Sequence, residues 1–319
     1  MKRTAAVALV ALVVSGCGTA GTARPAAQAR AAKCTWFPAN GFYHADVRKL
    51  PRHPRSAAFV RSIGSTGRLK ADFGSGTWEG RPFGIPITKV APGTPKVKVS
   101  FTYRSESDEG PYAIPKNAKV EGGRGAAGDR HVLAVDPAAC VLYELFAAYP
   151  KAGGTWRAGS GAIFNLRSNR LRPAGWTSAD AAGLSIAAPL VKYDETKRGS
   201  IDHVLRLTVP RVRNTYVWPA RHRVGGATSA SLPPLGTWLR LKSSVNLAKF
   251  PRSVRPILRA LQVHGAIIAD IGSAWYLSGT QDKRWNNDAL RALGGVRGSD
   301  FEAVDAVRLR VSKNSGQVR

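Results

Sequence analysis

Glu121, Asp129 and His131 fall in one glycine-rich stretch, Glu121-Gly122-Gly123 to Gly128-Asp129-Arg130-His131. Glycines permit backbone shapes that bring neighbouring polar side chains to a concave surface. Asp129 and His131 lie two apart, so on a strand they share a face and can form an oriented acid–base pair. Asp180 closes Trp176-Thr177-Ser178-Ala179-Asp180. It stands three residues after Thr177, the spacing of a cap-like contact at a helix start; the alternative is a substrate-facing carboxylate beside Trp176. His203 precedes Leu205 and Leu207 with the spacing of one strand face, which predicts a buried, hydrogen-bonded imidazole, with Arg206 on the other face. Asp270 ends an apolar run at a turn, where a rigid strand positions a loop end.

Two reactions use such groups. Glycoside hydrolysis needs two carboxylates across a cleft, about 5–5.5 Å apart for retention and 6.5–9.5 Å for inversion; Glu121, Asp129, Glu144, Asp180 and Asp270 are the candidates. A lyase needs a tyrosine or histidine base and a cation that neutralises a uronate, which His131, His203, Tyr143, Arg206 and Arg221 offer. Trp78, Trp176, Trp218 and Trp285 sit beside Gly, Pro, Asn or charged residues rather than in apolar runs. Indoles so placed can stack on sugar faces. Trp36, Trp238 and Trp275 read as core. The expected ligand is therefore a carbohydrate, with Tyr143, Trp176, Arg206, Trp218, Arg221 and Trp285 as binding residues.

Other chemistries find little support. Gly123-Arg124-Gly125-Ala126-Ala127-Gly128 matches G-x-G-x-x-G, but His131 to Val135 follows as a strand, whereas a dinucleotide loop must open a helix. There is no Walker A loop, no H-E-x-x-H and no G-x-S-x-G. The six histidines have no close metal-ligand spacing. No cofactor and no metal is predicted. Lys+Arg is 48 against Asp+Glu 20, a formal charge of +28 that attracts polyanions. The basic residues are scattered and form no recognition helix, which argues against nucleic acid and for an acidic polysaccharide or cell-wall polymer.

The ends of the chain bear on where this chemistry would happen. Lys2 and Arg3 precede an uncharged stretch from Thr4 to Gly16, the form of a secretory signal. That stretch is shorter than the ~20 apolar residues of a membrane-spanning helix. Val14-Ser15-Gly16-Cys17 resembles the lipobox of bacterial lipoproteins, and the resemblance implies lipidation of Cys17. The expectation is an exported bacterial protein anchored to the outer face of the cell membrane, touching the bilayer through its lipid alone. Residues 1–16 would be the signal, 17–33 a disordered tether and 34–319 one globular domain. Cys34 and Cys140 then remain as a pair for a disulfide, which an oxidising compartment preserves.

The elements that must position these groups are mostly short strands. Gly 33 and Pro 20 are spread throughout. Lys96 to Tyr103 alternates polar with apolar, as a half-buried strand does. His131–Val135 and Val141–Phe146 flank Asp136-Pro137-Ala138-Ala139 as a hairpin. Ile201–Val209, Leu239–Lys242 and Phe301–Val311 read as strands. Ile267-Ile268 and Trp275-Tyr276-Leu277 flank Asp270-Ile271-Gly272-Ser273 as a second hairpin. Helices are few. Ser253 caps one through Leu261 with Gly265 as its stop, Asn287 or Asp288 caps Ala289–Leu293, and Thr177 opens a third short turn. The pattern predicts a mainly β domain, a single β-sandwich or jelly roll with a few short helices; α+β is the alternative.

Several segments resemble an uncharacterised family of secreted actinobacterial and fungal proteins, some found beside carbohydrate-binding modules. They are Glu106 to Tyr112, Glu121-Gly122-Gly123, Gly128 to His131, Leu142 to Leu145, Trp176 to Leu184, Tyr193-Asp194-Glu195, His203 to Arg206, Trp218 to His222 and Arg284-Trp285-Asn286. The chain departs from that family at Ile271, where the family prefers Asn. The resemblance implies no catalytic assignment. The residues themselves point to a cell-surface protein acting on polysaccharide as a glycoside hydrolase or lyase. A non-catalytic glycan-binding lipoprotein and a structural envelope protein are the competing expectations.

Overall fold

A computed structural model describes residues 34–319, which form one compact unit. The predicted signal, tether and lipidated Cys17 lie outside the described residues. Among those described, no helix is long and apolar enough to cross a membrane.

The chain is mainly β with a few short helices. Its strands are divided among several sheets around two cores. The largest sheet has six strands in the order Lys70–Asp72, Tyr276–Ser278, Leu205–Val209, Ala266–Ile271, Trp238–Leu241 and Phe301–Val304. A four-stranded sheet runs Ser160–Asn165, Val141–Phe146, Val132–Asp136 and Ile87–Lys89. Alternation along its strands sends Leu133 and Leu142 into the large core and Val132, Ala134, Tyr143 and Leu145 into the smaller one. The strands Val99–Phe101, Tyr149–Pro150 and Trp156–Ala158 form a third sheet, whose Trp156 and Ala158 pack in that smaller core.

The hairpin Val132–Asp136 to Val141–Phe146 forms as its sequence predicts. Asp136 Oδ1 accepts hydrogen bonds from the Ala138 and Ala139 amides at 3.0 and 2.9 Å, an Asx-type turn. The glycine loop before it is followed by a strand and is a turn, with Gly122 and Gly123 at positive φ. Arg130 ties it down by donating to the Arg124 and Ala126 carbonyls, both at 2.7 Å.

The second expected hairpin does not form. Ala266–Ile271 and Tyr276–Ser278 flank opposite edges of Leu205–Val209, parallel to it and antiparallel to it respectively. A strand distant in sequence thus separates two neighbours, a long-range pairing that turn residues do not encode.

Helix limits also shift from expectation. The third helix runs Arg255–Val263 after a 3₁₀ turn, and Ser253 makes no cap bond. Asn286 caps Asn287–Arg291 by accepting from the Ala289 amide at 3.0 Å. No helix begins at Thr177. Two further helices, Ser56–Ile63 and Tyr193–Arg198, are not expected from the sequence pattern. The first buries Ser56, Phe59, Val60 and Ile63, a helical stripe against the Phe301–Val304 strand.

Cys34 and Cys140 form a disulfide, with Cα atoms 5.4 Å apart across 106 positions of sequence. It fastens the first described residue to the turn of the Val132–Phe146 hairpin.

Candidate functional site

Three central strands set out the site. Leu207 pairs with Leu277, which places Arg206 beside Ser278, and Asp72 pairs with Ser278. Cross-strand partners share a face, so Asp72, Ser278 and Arg206 line one side of the sheet. Arg206 Nη1 donates to Ser278 Oγ at 2.8 Å.

Asp270 reaches that side through a β-bulge. Leu207 pairs with Ile268, but Thr208 pairs with Asp270, so Ala269 is the extra residue. In a regular strand Asp270, two residues after Ile268, would share its face, opposite to Arg206. The bulge re-aims the carboxylate, and Arg206 Nη2 donates to Asp270 Oδ2 at 2.9 Å. The Ala269 carbonyl accepts from the Ala182 amide at 2.9 Å, which fastens the loop carrying Asp180 to the same bulge. Arg206 donates to both Asp180 oxygens, at 3.0 Å through Nη2 and 3.3 Å through Nε.

Asp180 is fully buried. Burial raises its pKa to about 6, Arg206 opposes the rise, and Asp270 adds to it. Asp180 therefore positions and neutralises Arg206 and offers no surface to a ligand. Asp270 is partly open, but Oδ2 is held by Arg206 and Oδ1 accepts from the Ile271 amide at 2.8 Å. Asp180 and Asp270 share the Nη2 donor and so lie close together, yet Asp180 is sealed from solvent.

The four-stranded sheet supplies the opposite wall. His131 leads into the Val132–Asp136 strand with the parity of Leu133, toward the large core, and is 3% exposed. Its Nδ1 is 2.6 Å from Glu121 Oε2, and its Nε2 is 3.2 Å from the Ala179 carbonyl. Both partners are acceptors, so both ring nitrogens donate and the ring is an imidazolium. Burial works against that charge, but the Glu121 carboxylate outweighs it and the pKa rises to about 9. Burial likewise pushes the Glu121 pKa up, and His131 reverses the effect, holding it below the usual carboxylate value.

Glu121 Oε2 is thus occupied; Oε1 has no partner among the described residues. Asp72 is open to solvent, with no side-chain hydrogen bond among them. Neighbouring groups nevertheless form a shallow hollow of charge around it: desolvation raises its pKa, and the Glu121 and Asp129 charges add to the rise. Asp129 is exposed at the rim. Five carboxylates (Asp72, Glu121, Asp129, Asp180 and Asp270) thus interact around two cations, Arg206 and His131. Among the described residues, no group of three or more His, Cys, Asp or Glu side chains could hold a metal ion.

Sequence reasoning identifies Glu121, Asp129, His131, Asp180 and Asp270, all of which converge here. It misses Asp72. The available signal is its setting: Asp72-Phe73-Gly74 ends a strand just before a glycine, as Asp270-Ile271-Gly272 does.

The remaining expected site residues lie elsewhere or are otherwise engaged. His203 is buried apart from the hollow, with Nε2 3.0 Å from Glu195 Oε2 and Nδ1 2.8 Å from the Val204 carbonyl. Lys192 lies 3.5 Å from the same nitrogen, its pKa lowered by burial to about 8. Glu144 is fully buried and braces the 185–187 turn, accepting from Ser185 Oγ and the Ile186 and Ala187 amides at 2.8–3.0 Å. Tyr143 packs in the smaller core, 5.9 Å from Tyr112. Arg206 is 4% exposed and committed to two carboxylates, so it is no free substrate clamp. Arg221 donates to the Arg172 and Lys313 carbonyls at 2.6 and 2.7 Å. Trp218 and Trp285 are buried, with their Nε1 atoms donating at 2.9 Å to the Ser315 and Thr280 carbonyls. They are packing residues because each indole N–H finds a backbone acceptor inside. Trp176 stays half-exposed, stacked by Arg172 at 5.5 Å.

Two well-formed cavities, of about 760 and 380 Å³, lie away from this cluster. Neither is lined by any of its carboxylates. No family model, curated protein or solved structure matches this chain.

Proposed function

We propose that the protein is a glycoside hydrolase acting on polysaccharide outside the cytoplasm, and that Asp72 and Glu121 are its working carboxylates. The observation that carries this reading is their electrostatic proximity and unequal environments. Glu121 is held ionised by the His131 imidazolium and keeps Oε1 free; solvent-open Asp72 has no partner, and its pKa is raised by desolvation and the Glu121 charge. Carboxyl groups with pKa values pushed apart are how one site divides acid from base work. Asp72 gives its proton to the glycosidic oxygen as the C–O bond breaks. The Glu121 carboxylate stabilises the developing oxocarbenium charge, and water adds to the cation while giving its proton to the Asp72 carboxylate, which restores the acid. Arg206, Asp180 and Asp270 hold the floor beneath them.

The lyase alternative has lost its machinery. His131 has no nitrogen free to act as a base, Tyr143 is in a core, and Arg206 and Arg221 are already bonded. The excess of carboxylates in the hollow also disfavours a uronate there, so the fitting substrate is a neutral or amino-bearing glycan.

The Cys34–Cys140 bridge supports an oxidising compartment. Together with the signal-like N-terminus it supports export, and the lipobox-like setting of Cys17 is what supports lipid anchoring at the cell surface.

The test is incubation of the protein with a panel of neutral and amino-sugar polysaccharides while reducing ends are measured. Release is expected on at least one, with Asp72→Asn and Glu121→Gln each lowering kcat by about 10²–10⁴-fold. Saturable binding without reducing ends, or full activity in both variants, would overturn the assignment.

A further inference from the structure

The cavity of about 760 Å³ has a character opposite to the hollow. Its volume lies in the ~300–1,000 Å³ range of ligand sites. Among the described residues it is lined by five basic side chains and no carboxylate. Two of the five are structural. Arg172 donates to the Thr177 carbonyl at 2.7 Å and pairs with Asp108. Arg221 binds the Arg172 and Lys313 carbonyls and, at 2.9 Å, Asn314 Oδ1. These bonds fasten the two walls together and make the groove rigid.

The other three differ. Arg170, Arg310 and Lys313 are exposed, and among the described residues their side chains have no hydrogen-bond or ion-pair partner. The nearby carboxylate of Asp305 is taken by Arg308 at 3.0 Å. Between these cations lies an apolar floor that includes Pro173, Val217 and Val307.

We propose that this groove binds a strand of carboxylated polysaccharide. A uronate residue has a flat, largely C–H face and a carboxylate at its edge. The floor takes the face; the rim guanidinium groups take the carboxylate in bidentate fashion. A polymer charged only on flexible phosphodiester links has no such face to use the floor. The groove is therefore a holding site for an acidic strand, separate from the hollow, whose own charge repels such a strand. This inference stands whether or not the hollow hydrolyses anything.

The test measures binding of the full chain to oligogalacturonate, with dextran as the neutral probe and inorganic polyphosphate as the charge-only probe. Three exposed cations are reversed together in the groove (Arg170→Glu, Arg310→Glu, Lys313→Glu). A second variant makes the same charge change elsewhere on exposed side chains (Lys49→Glu, Lys98→Glu, Lys151→Glu). The expected result is at least a tenfold weaker Kd for oligogalacturonate in the groove variant and less than a threefold change in the other, with no dextran binding. Circular dichroism of both variants confirms that they fold. Equal weakening in both variants would reduce the effect to the overall positive field and overturn the site. Polyphosphate bound as tightly as oligogalacturonate, and lost equally in the groove variant, would overturn the assignment of a carboxylated sugar.

Discussion

Removal of the positive ring that holds Glu121 is the sharpest test of the hollow. His131 is 3% exposed, and its pKa rises from 6.5 to about 9 because the Glu121 carboxylate at 2.6 Å overcomes the burial penalty. A group whose folded pKa is raised contributes stability that is complete below its unfolded pKa and disappears as pH rises through the folded value. The window here runs from about pH 6.5 to about pH 9. A rise of that size corresponds to roughly 3 kcal/mol. His131→Asn keeps a donor near Glu121 and removes the charge. It should destabilise the protein by up to about 3 kcal/mol at pH 6, and the difference should shrink toward zero near pH 9.5. Urea unfolding with the disulfide intact, at pH 6, 7.5 and 9.5, reads this out. An NMR titration of the imidazole gives its pKa directly, and Glu121→Gln should lower that pKa sharply, because only Asp129 then opposes burial and the Arg206 charge. A wild-type ring titrating near 6.5, or a variant deficit independent of pH, would refute the imidazolium and with it the enforced ionisation of Glu121.

Other expectations follow from the same contacts. Asp180→Ala leaves Arg206 buried with one carboxylate fewer, and unfolding should show a loss on the order of 3 kcal/mol; a loss below about 1 kcal/mol would mean that Asp270 alone satisfies the guanidinium. If Asp72 is the proton donor, hydrolysis should fall as pH rises through its raised pKa, and the alkaline limb of the pH–rate profile should disappear in Asp72→Asn; the same limb in the variant would assign it to another group. Replacement of Cys34 and Cys140 by serine opens a loop of 106 positions. In the chain-entropy account this costs about 4–5 kcal/mol, seen as a lower urea midpoint, and an unchanged midpoint would show that the bridge adds nothing to the fold.

What the sequence revealed depended on distance along the chain. The Val132–Phe146 hairpin was legible because its turn, its alternation and its pairing are all local. The Ala266–Ser278 segment carried equally good turn residues and was misread, since the Leu205–Val209 strand inserts between its two halves. The same contrast governs the site. Glu121, Asp129, His131, Asp180 and Asp270 announced themselves as polar residues beside glycine turns. Asp72 sits on a three-residue edge strand and owes its importance to Ser278 and Arg206, more than 100 positions away. The Trp218 and Trp285 indoles stand beside proline and asparagine, which predicted a loop correctly but said nothing of burial; that was settled by the distant carbonyl of Ser315 and the nearby one of Thr280.

The single inserted alanine at position 269 has a consequence for tracing descent. Remote relatives that lack it, with an acidic residue directly after the counterpart of Ile268, would keep the hydrophobic ladder of this strand and hold the carboxylate on the same side. An ungapped comparison would then set that acid against Ala269 and pair Asp270 with a residue on the opposite surface, hiding shared chemistry. Relatives that keep the chemistry should be sought by allowing one gap at that point and requiring an acidic residue immediately after it.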